Sequence, residues 1–290
     1  MRNSVAVMNT KGGVGKSTVV LALAETLASQ LRKNVLVIDS DAQSSVSAMM
    51  MTTSNLHKLQ TSGLSIVEFL VQTVLEQGAL DWPKYVVRGV SDVDDARSIY
   101  LLPSDMQLTL LEREVSRQGA HARLRQVIAE LLTTVRSVFD VVLIDCPPGL
   151  SVLTESWLRE ADFHLSPTRA DYISLCGLDV FRRFRALDPD MGFAENLGVL
   201  VNMFDQSSAT DRQYLEWLKG QPDMDCFATA LPRALALQDA ARFSQEDRSF
   251  PAKYPGEVGR SLRAVAEEML SRMAARQQPD GARPQRPVTG

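Results

Sequence analysis

The chain has 290 residues, a length that suits one large domain, and its 45% hydrophobic and 23% charged residues are typical of a folded globular protein. The net charge of −4 excludes a globally basic nucleic-acid binder but leaves room for a local basic patch. No apolar run is long enough to span a bilayer, and the first residues lack the apolar core of a secretory signal. Three cysteines without paired spacing favour a reducing compartment, so we expect a cytoplasmic protein.

Strand-like apolar runs alternate with helical patterns along most of the chain. The helical spacing is clearest over residues 124–135. Such alternation predicts an α/β fold with a doubly wound, mostly parallel sheet flanked by helices. Residues 1–276 are expected to form one domain, and residues 277–290, rich in Pro, Gly and Arg, a disordered tail. The predicted strands are 5–8, 35–38, 99–102, 138–144, 163–165, 199–201 and, as the weakest candidate, 227–231.

A glycine-rich loop, KGGVGKST at residues 11–18, follows the first predicted strand and precedes a helical pattern. In this setting glycines let backbone N–H groups and the helix N-terminus approach phosphate closely. Lys16 would reach the β- and γ-phosphates, and the Ser17 hydroxyl would bind Mg²⁺. We therefore predict a nucleotide site formed by Lys11, Gly12, Gly13, Val14, Gly15, Lys16, Ser17 and Thr18.

Two acidic motifs follow buried strand patterns. Asp39 and Asp41 come after the second predicted strand, and Asp145 comes after the strand that ends at residue 144. Each aspartate alone could be a helix cap or a turn residue. Beside a phosphate loop, they are better explained as carboxylates near a Mg²⁺–nucleotide complex, with Asp145 as the residue closest to the metal.

The loop departs from the general phosphate-loop pattern, because Thr10 replaces its first glycine and an extra lysine, Lys11, follows. With these residues the chain resembles the ParA/MinD family of deviant Walker ATPases, closest to ParA-type members without an N-terminal helix-turn-helix extension. The resemblance implies an ATP-sandwich homodimer in which Lys11 contacts the nucleotide held by the other subunit. It also implies that Asp41 orients the attacking water and that Asp39 lies near the metal, which makes Lys11, Lys16 and Asp41 the catalytic set.

The resemblance also suggests contacts to the adenine base. Asn202 matches the base-binding asparagine of MinD-like members, and Pro232 and Arg233 match a pair that lines the base in ParA-like members. All three could equally be turn or surface residues.

A ParA-like protein would be a slow, partner-stimulated ATPase that binds DNA nonspecifically and segregates a plasmid or chromosome with a ParB-type adaptor. It would be associated with the nucleoid rather than with a membrane, since the C-terminal residues lack an apolar helix face. Two alternatives stay open: the same switch could position a protein cargo (a chemoreceptor cluster or a microcompartment) over the nucleoid, or it could regulate a process without binding DNA.

Ala236 stands where many ParA sequences have an arginine, so other cations would have to contact DNA. They could instead belong to ordinary solvated helix faces. The candidates are Arg182, Arg183, Arg185, Arg212, Lys219, Arg242, Arg248 and Lys253.

Cys146 and Cys176 are predicted to be buried free thiols rather than ligands of an iron–sulfur cluster. The resemblance is weak over residues 50–98, and residues 85–97 are expected to form a loop or an edge insertion.

Overall fold

The computed structural model describes residues 2–187 and 191–277. These residues contain one seven-stranded sheet whose strands are β1 (Ser4–Val7), β2 (Val35–Asp39), β3 (Val87–Arg88), β4 (Ile99–Leu102), β5 (Val141–Asp145), β6 (Phe163–Thr168) and β7 (Glu195–Val201). The strand order is β3-β4-β2-β5-β1-β6-β7. All neighbouring strands are parallel except β3 and β4.

Twelve α-helices connect and cover the strands within the described residues. They are α1 (Lys16–Leu31), α2 (Ser45–Met50), α3 (Thr53–Thr61), α4 (Ile66–Leu70), α5 (Leu108–Arg117), α6 (His121–Val135), α7 (Val152–Glu160), α8 (Tyr172–Leu187), α9 (Ala209–Lys219), α10 (Leu235–Ala240), α11 (Phe250–Lys253) and α12 (Glu257–Ala275). A π-helical turn over Val71–Leu75 continues α4.

The sheet is covered on both faces, which explains why its strands are apolar throughout. In β2, Val35 and Val37 pack into a hydrophobic cluster with α1, α10 and α12. Leu36 and Ile38 point to the other face and pack with α5, α6 and α7. The predicted α/β class and mostly parallel sheet are confirmed.

Two strand predictions need correction. Residues 227–231 do not form a strand: they run beside β7 with isolated bonds from Phe227 N to Val199 O (2.9 Å) and from Leu231 N to Val201 O (2.8 Å). Phe227 and Leu231 are buried in the cluster that contains α12, so burial rather than sheet pairing explains the pattern. β5 begins at Val141 and not at residue 138, since Val138 is exposed.

Residues 85–97 include the short antiparallel strand β3, which forms one edge of the sheet, as expected for an edge insertion. Almost all of the predicted tail, residues 278–290, lies outside the described residues. None of the described helices combines the length and the apolar character needed to cross a membrane.

Candidate functional site

The carboxyl ends of β1, β2 and β5 meet at the centre of the sheet. β5 lies between the other two strands, and Asp145 is in register with Val7 of β1 and Asp39 of β2. The loops that leave these strands therefore start side by side, which is the usual position of a ligand site in an open parallel sheet. The phosphate loop and both acidic motifs lie at this edge.

The phosphate loop has a backbone that only glycine adopts readily at two positions. Gly13 and Gly15 have φ angles of 76° and 84°. Asn202 donates a hydrogen bond from Nδ2 to the carbonyl of Val14 (2.9 Å), and a Cβ at Gly15 would lie 2.4 Å from the same nitrogen. α1 then begins at Lys16 with no side chain capping its N-terminus, so its first N–H groups stay available to an anion.

Lys16 is buried, with 7% of its surface exposed, and faces the acidic motifs. Burial lowers the pKa of Lys16, while the charges of Asp145 and Asp41 act in the opposite direction. The ammonium group is thus a nearly desolvated cation held beside carboxylates. Such a cation interacts strongly with a phosphate placed at the adjacent helix N-terminus.

Asp145 is fully buried, and neither of its carboxylate oxygens accepts a hydrogen bond of ordinary geometry from the described residues, although the Ser17 hydroxyl and the Lys16 ammonium lie near enough to favour its charged form. Burial, reinforced by the nearby Asp39 carboxylate, raises the pKa of Asp145 well above its ordinary value. A buried carboxylate without partners is costly, so it needs a function or a missing partner to explain it.

Asp39 is also buried but is better satisfied. Its carboxylate accepts hydrogen bonds from the Ser47 N–H (2.9 Å), the Ser47 hydroxyl (2.6 Å) and the Asp41 N–H (3.2 Å). Burial still raises the pKa of Asp39 to about 6. Asp41 lies at the start of the next loop, where its Oδ1 accepts from the N–H of Gln43 (2.9 Å).

These oxygens fit Mg²⁺, because it prefers oxygen ligands and retains several waters. In the described part of the chain, no group of three or more His, Cys, Asp or Glu side chains could hold a metal ion on its own. The unpartnered oxygens of Asp145 therefore suit an ion that is also bound by water and by a nucleotide phosphate.

Lys11 is held inside its own chain. Its Nζ lies 3.1 Å from the Ser174 hydroxyl and 3.5 Å from Asp171 Oδ1, both at the start of α8. Thr10 adds a hydrogen bond from its hydroxyl to the carbonyl of Gly177 (2.8 Å). No local pattern marks Asp171 and Ser174 as partners of Lys11, because they lie about 160 residues from it and approach it only in the folded protein.

Asn202, Pro232 and Arg233, considered separately in the sequence, line one cavity of about 160 Å³. Thr18 and Met203 also line it, which places the cavity beside the first turn of α1. The geometry is that of a pocket next to the phosphate loop, open to a group attached to the phosphates.

The predicted DNA contacts divide into side chains that are exposed and side chains that are buried or half-buried. Arg182 and Arg183 on α8, Arg212 and Lys219 on α9, and Arg242 are exposed. Arg182 and Arg183 also form ion pairs with Asp179.

Lys253 does not belong to a DNA-binding surface, and that prediction is wrong. Its side chain is completely buried, with Nζ 2.8 Å from Glu25 Oε1 and 2.6 Å from Asp92 Oδ1. Arg248 is half-buried and pairs with the other oxygen of Asp92 (2.5 Å), so its charge is already neutralised. Arg185, which also belongs to α8, is half-buried and lines a cavity.

Cys146 is buried, as predicted, and burial raises the pKa of its thiol further above the ordinary range. The prediction for Cys176 is wrong, because Cys176 lies on the exposed side of α8.

The fold and this site define a nucleotide-binding protein of the P-loop class. Residues 2–187 match a protein family described as "AAA domain". The chain is 28% identical over 275 residues to the chromosome partitioning protein ParA of Myxococcus xanthus, covering 92% of this chain and 88% of that protein. It is 30% identical to the chromosome-partitioning ATPase Soj of Thermus thermophilus, covering 93% and 96%.

The chain therefore belongs to the ParA/Soj family of P-loop ATPases, and the resemblance seen in the sequence is confirmed. Among solved structures, cobyrinic acid a,c-diamide synthase from Mycobacterium smegmatis with bound ATP analog and magnesium has a TM-score of 0.70. It is 23% identical, and the match covers 96% of this chain and 98% of the synthase, so it supports the shared fold.

Proposed function

We propose that this protein is a ParA-like ATPase that forms an ATP-bound homodimer, binds DNA nonspecifically and helps to segregate a plasmid or chromosome with a ParB-type adaptor. One observation carries the proposal: Asp145, which is fully buried and accepts no hydrogen bond of ordinary geometry from the described residues, faces Lys16 at an uncapped helix N-terminus. A bound Mg²⁺–ATP complex would supply what each group lacks.

In the proposed complex, the N–H groups of residues 12–18 and the Lys16 ammonium bind the phosphates. The Ser17 hydroxyl and Asp145 would hold Mg²⁺, directly or through water, with Asp39 nearby. When bound there, the ion would supply positive charge to the phosphate oxygens. Support comes from the donor geometry of this edge and from the structural neighbour that has an ATP analog and magnesium bound.

Hydrolysis would depend mainly on position and charge, because phosphoryl transfer needs little covalent assistance. Asp41 would accept a hydrogen bond from the attacking water and orient it toward the γ-phosphate. Its location at the mouth of the site, 8% exposed, is compatible with this role. Lys16 would stabilise the charge that develops on the transferring group.

Lys11 would act on the nucleotide of the second subunit. To do so, it must leave Ser174 and Asp171, which hold it in the single chain. Those contacts are partly exposed, so the cost of breaking them is small compared with a new contact to a phosphate. Asn202, Pro232 and Arg233 would contact the adenine from the adjoining cavity.

Nonspecific DNA binding would use the exposed cations of α8 and α9, namely Arg182, Arg183, Arg212 and Lys219. Because the net charge is −4, binding would rest on this local patch and would weaken steeply with salt. The names of the two relatives favour chromosome partitioning over the alternative cargo and regulatory roles. The fold alone does not distinguish between these roles, because a synthase has the same fold.

The test is fluorescence anisotropy of a random-sequence DNA duplex titrated with the protein in ATP, in ADP and without nucleotide. We expect binding only in ATP, a loss of affinity of at least tenfold between about 50 and 200 mM salt, and no binding by Lys16→Ala. Lys219→Ala on α9 should weaken binding, whereas Lys58→Ala on α3 serves as the matched control. An equal loss in both variants would contradict the proposed surface.

Absence of binding in every nucleotide state at low salt would overturn the DNA-based proposal. ATP hydrolysis measured on the same samples separates the two parts of the proposal. Hydrolysis without DNA binding would leave an ATPase that acts on a protein partner, while neither activity would contradict the nucleotide site itself.

A further inference from the structure

A second cavity, of about 370 Å³, lies between the C-terminal half of α8 and the first residues of β6 and β7. It is separate from the nucleotide site, because His164 and Asn196 lie near the amino ends of these strands and the phosphate loop lies at the carboxyl edge of the sheet. Phe181 and Phe193 contribute apolar walls. The volume is within the range of about 300–1,000 Å³ that is usual for small-molecule sites.

His164 brings an unpartnered ring nitrogen to this cavity. The residue is 2% exposed, and its Nδ1 lies 3.0 Å from the carbonyl oxygen of Ala194. Since a carbonyl oxygen can only accept, Nδ1 carries the hydrogen and Nε2 is an acceptor. Burial, followed by the charge of Arg185, lowers the pKa of His164 to about 3, so the ring is neutral at physiological pH. No described residue forms a hydrogen bond with Nε2.

Arg185 brings a positive charge to this cavity, and it forms no ion pair with an acid of the part of the chain that the structure describes. Its guanidinium lies 6.0 Å from the centre of the Phe181 ring. Asp223, an acid that also lines the cavity, pairs with Arg182 instead (2.5 Å). Its neighbours on α8 differ, since Arg182 and Arg183 both pair with Asp179. A half-buried cation without a counter-charge is unfavourable, and a bound anion would remove that cost.

Two further donors line the same cavity. Ser166 is 3% exposed, and its hydroxyl has no hydrogen-bond partner in the described part of the chain. Asn196 accepts the Gly198 N–H on its Oδ1 (3.0 Å), which leaves the Nδ2 group as a donor. A guanidinium, a hydroxyl and an amide NH₂ are the groups that recognise carboxylate and phosphate oxygens.

We propose that this cavity is a binding site for a small organic oxyanion, a carboxylate or phosphate monoester with an apolar body. The anionic head pairs with Arg185 and accepts hydrogen bonds from Ser166 and Asn196. The apolar part packs against Phe181 and Phe193, and Nε2 of His164 accepts a hydrogen bond from a hydroxyl group of the ligand. This inference does not depend on the proposed ATPase or DNA-binding activities.

The test uses the full chain labelled with ¹⁵N-histidine, titrated with benzoate and, separately, with phenyl phosphate. The chain has only three histidines, and His57 and His121 are exposed, so the buried His164 ring gives a distinct NMR signal. We expect at least one probe to shift the His164 resonance saturably, with a dissociation constant below about 1 mM. A carboxylate and a phosphate compared in this way show which head group the cavity prefers.

Arg185→Gln should weaken binding by at least about tenfold, because it removes the charge that pairs with the head group. Arg183→Gln is the matched control, since it removes an exposed arginine from the same helix and should leave the affinity unchanged. Ser166→Ala should weaken binding severalfold, and it decides the question if Arg185→Gln fails to fold.

Three outcomes would overturn the proposal. One is the absence of a saturable His164 shift with either probe up to about 10 mM. Another is equal affinity in wild type and Arg185→Gln, or in wild type and Ser166→Ala if the first variant does not fold. The third is binding that leaves the His164 resonance in place, which would assign the anion to the phosphate loop instead.

Discussion

Glu25 and Asp145 are both fully buried carboxylates, but their surroundings differ completely. Glu25 belongs to a paired cluster, which we define as Glu25, Asp92, Arg248, Lys253 and Tyr254. Asp145 belongs to a nucleotide cluster, defined as Lys16, Asp39 and Asp145. The paired cluster supplies its own partners, whereas the nucleotide cluster leaves both Asp145 oxygens without any within the described residues.

Every acid of the paired cluster has charged and neutral partners. Glu25 accepts hydrogen bonds from Lys253 (2.8 Å), Tyr254 (2.7 Å) and Ser91 (2.8 Å). Asp92 pairs with Lys253 and Arg248. The cluster joins α1 to the loop before β4 and to the segment around α11, so it holds the C-terminal part of the fold against the helix that follows the phosphate loop.

The difference between the two clusters shows that a buried charge can serve either the stability of the fold or the binding of a ligand. A buried acid with complete partners stabilises one arrangement of chain segments and offers nothing to a ligand. A buried acid without partners is unfavourable until a ligand supplies them, so its cost becomes binding energy. The paired cluster lies around Glu25 in the middle of α1, and the nucleotide cluster lies at the first residue of that helix.

The largest expected effect comes from breaking the paired cluster. Lys253→Met leaves Glu25 and Asp92 buried without their shared cation, which should lower the free energy of unfolding by about 3–5 kcal/mol. Urea denaturation of the ligand-free protein measures this. Lys219→Met, which removes an exposed lysine, should change stability by no more than about 0.5 kcal/mol. Similar effects of the two substitutions would show that Lys253 is not buried as described.

The two clusters also differ in how well the sequence alone predicts them. The phosphate loop, the two acidic motifs and most strands were predictable, because each depends on a local pattern of glycine, acid or apolar residues. The pairing of Lys253 with Asp92 was not, since 161 positions separate them and nothing local distinguishes a buried lysine from an exposed one. For the same reason, Lys253 was wrongly assigned to DNA.

Residues 227–231 show a second limit of sequence-based prediction. Their apolar pattern correctly indicates burial, yet it does not distinguish a strand from a loop packed beside β7 and α12. Local patterns therefore predicted what is buried and where phosphate would bind. Partners brought together by the folded sheet, including Ser174 near Lys11, needed the structure.

A second prediction concerns pH. The folded pKa of Asp39, about 6, is above the unfolded value of about 4, so folding favours the protonated form. The stability this contributes is fully present below pH 4 and is lost as the pH rises through 6. The free energy of unfolding should therefore fall more in the wild type than in Asp39→Asn between pH 4 and 7, by about 3 kcal/mol from Asp39 itself. The substitution also removes a charge that raises the pKa of Asp145, which adds to the difference in the same direction.

Urea denaturation at several pH values, without nucleotide or metal, measures that difference. His164 acts in the opposite direction, because its pKa is lowered in the folded protein and its contribution to stability is lost as the pH falls. This contribution is the same in the wild type and in Asp39→Asn, so it cancels in the difference between them. Asp95→Asn, at an exposed acid, should follow the wild-type profile. Parallel profiles for wild type and Asp39→Asn would show that Asp39 is not strained by burial.

The smallest effect should have the opposite sign to the first. Asp145→Asn removes a charge whose burial and repulsion by Asp39 outweigh the attraction of Lys16, so it should stabilise the ligand-free protein by about 1–2 kcal/mol and raise Tm by a few degrees. The matched change in the paired cluster, Glu25→Gln, should lower Tm, because Lys253 then loses an anion. Thermal unfolding with and without Mg²⁺–ATP measures both: ligand should raise the Tm of Glu25→Gln as in the wild type and should barely affect Asp145→Asn. A ligand-free Asp145→Asn protein less stable than the wild type would mean that Asp145 already has the partners it needs, and the distinction between the two clusters would fail.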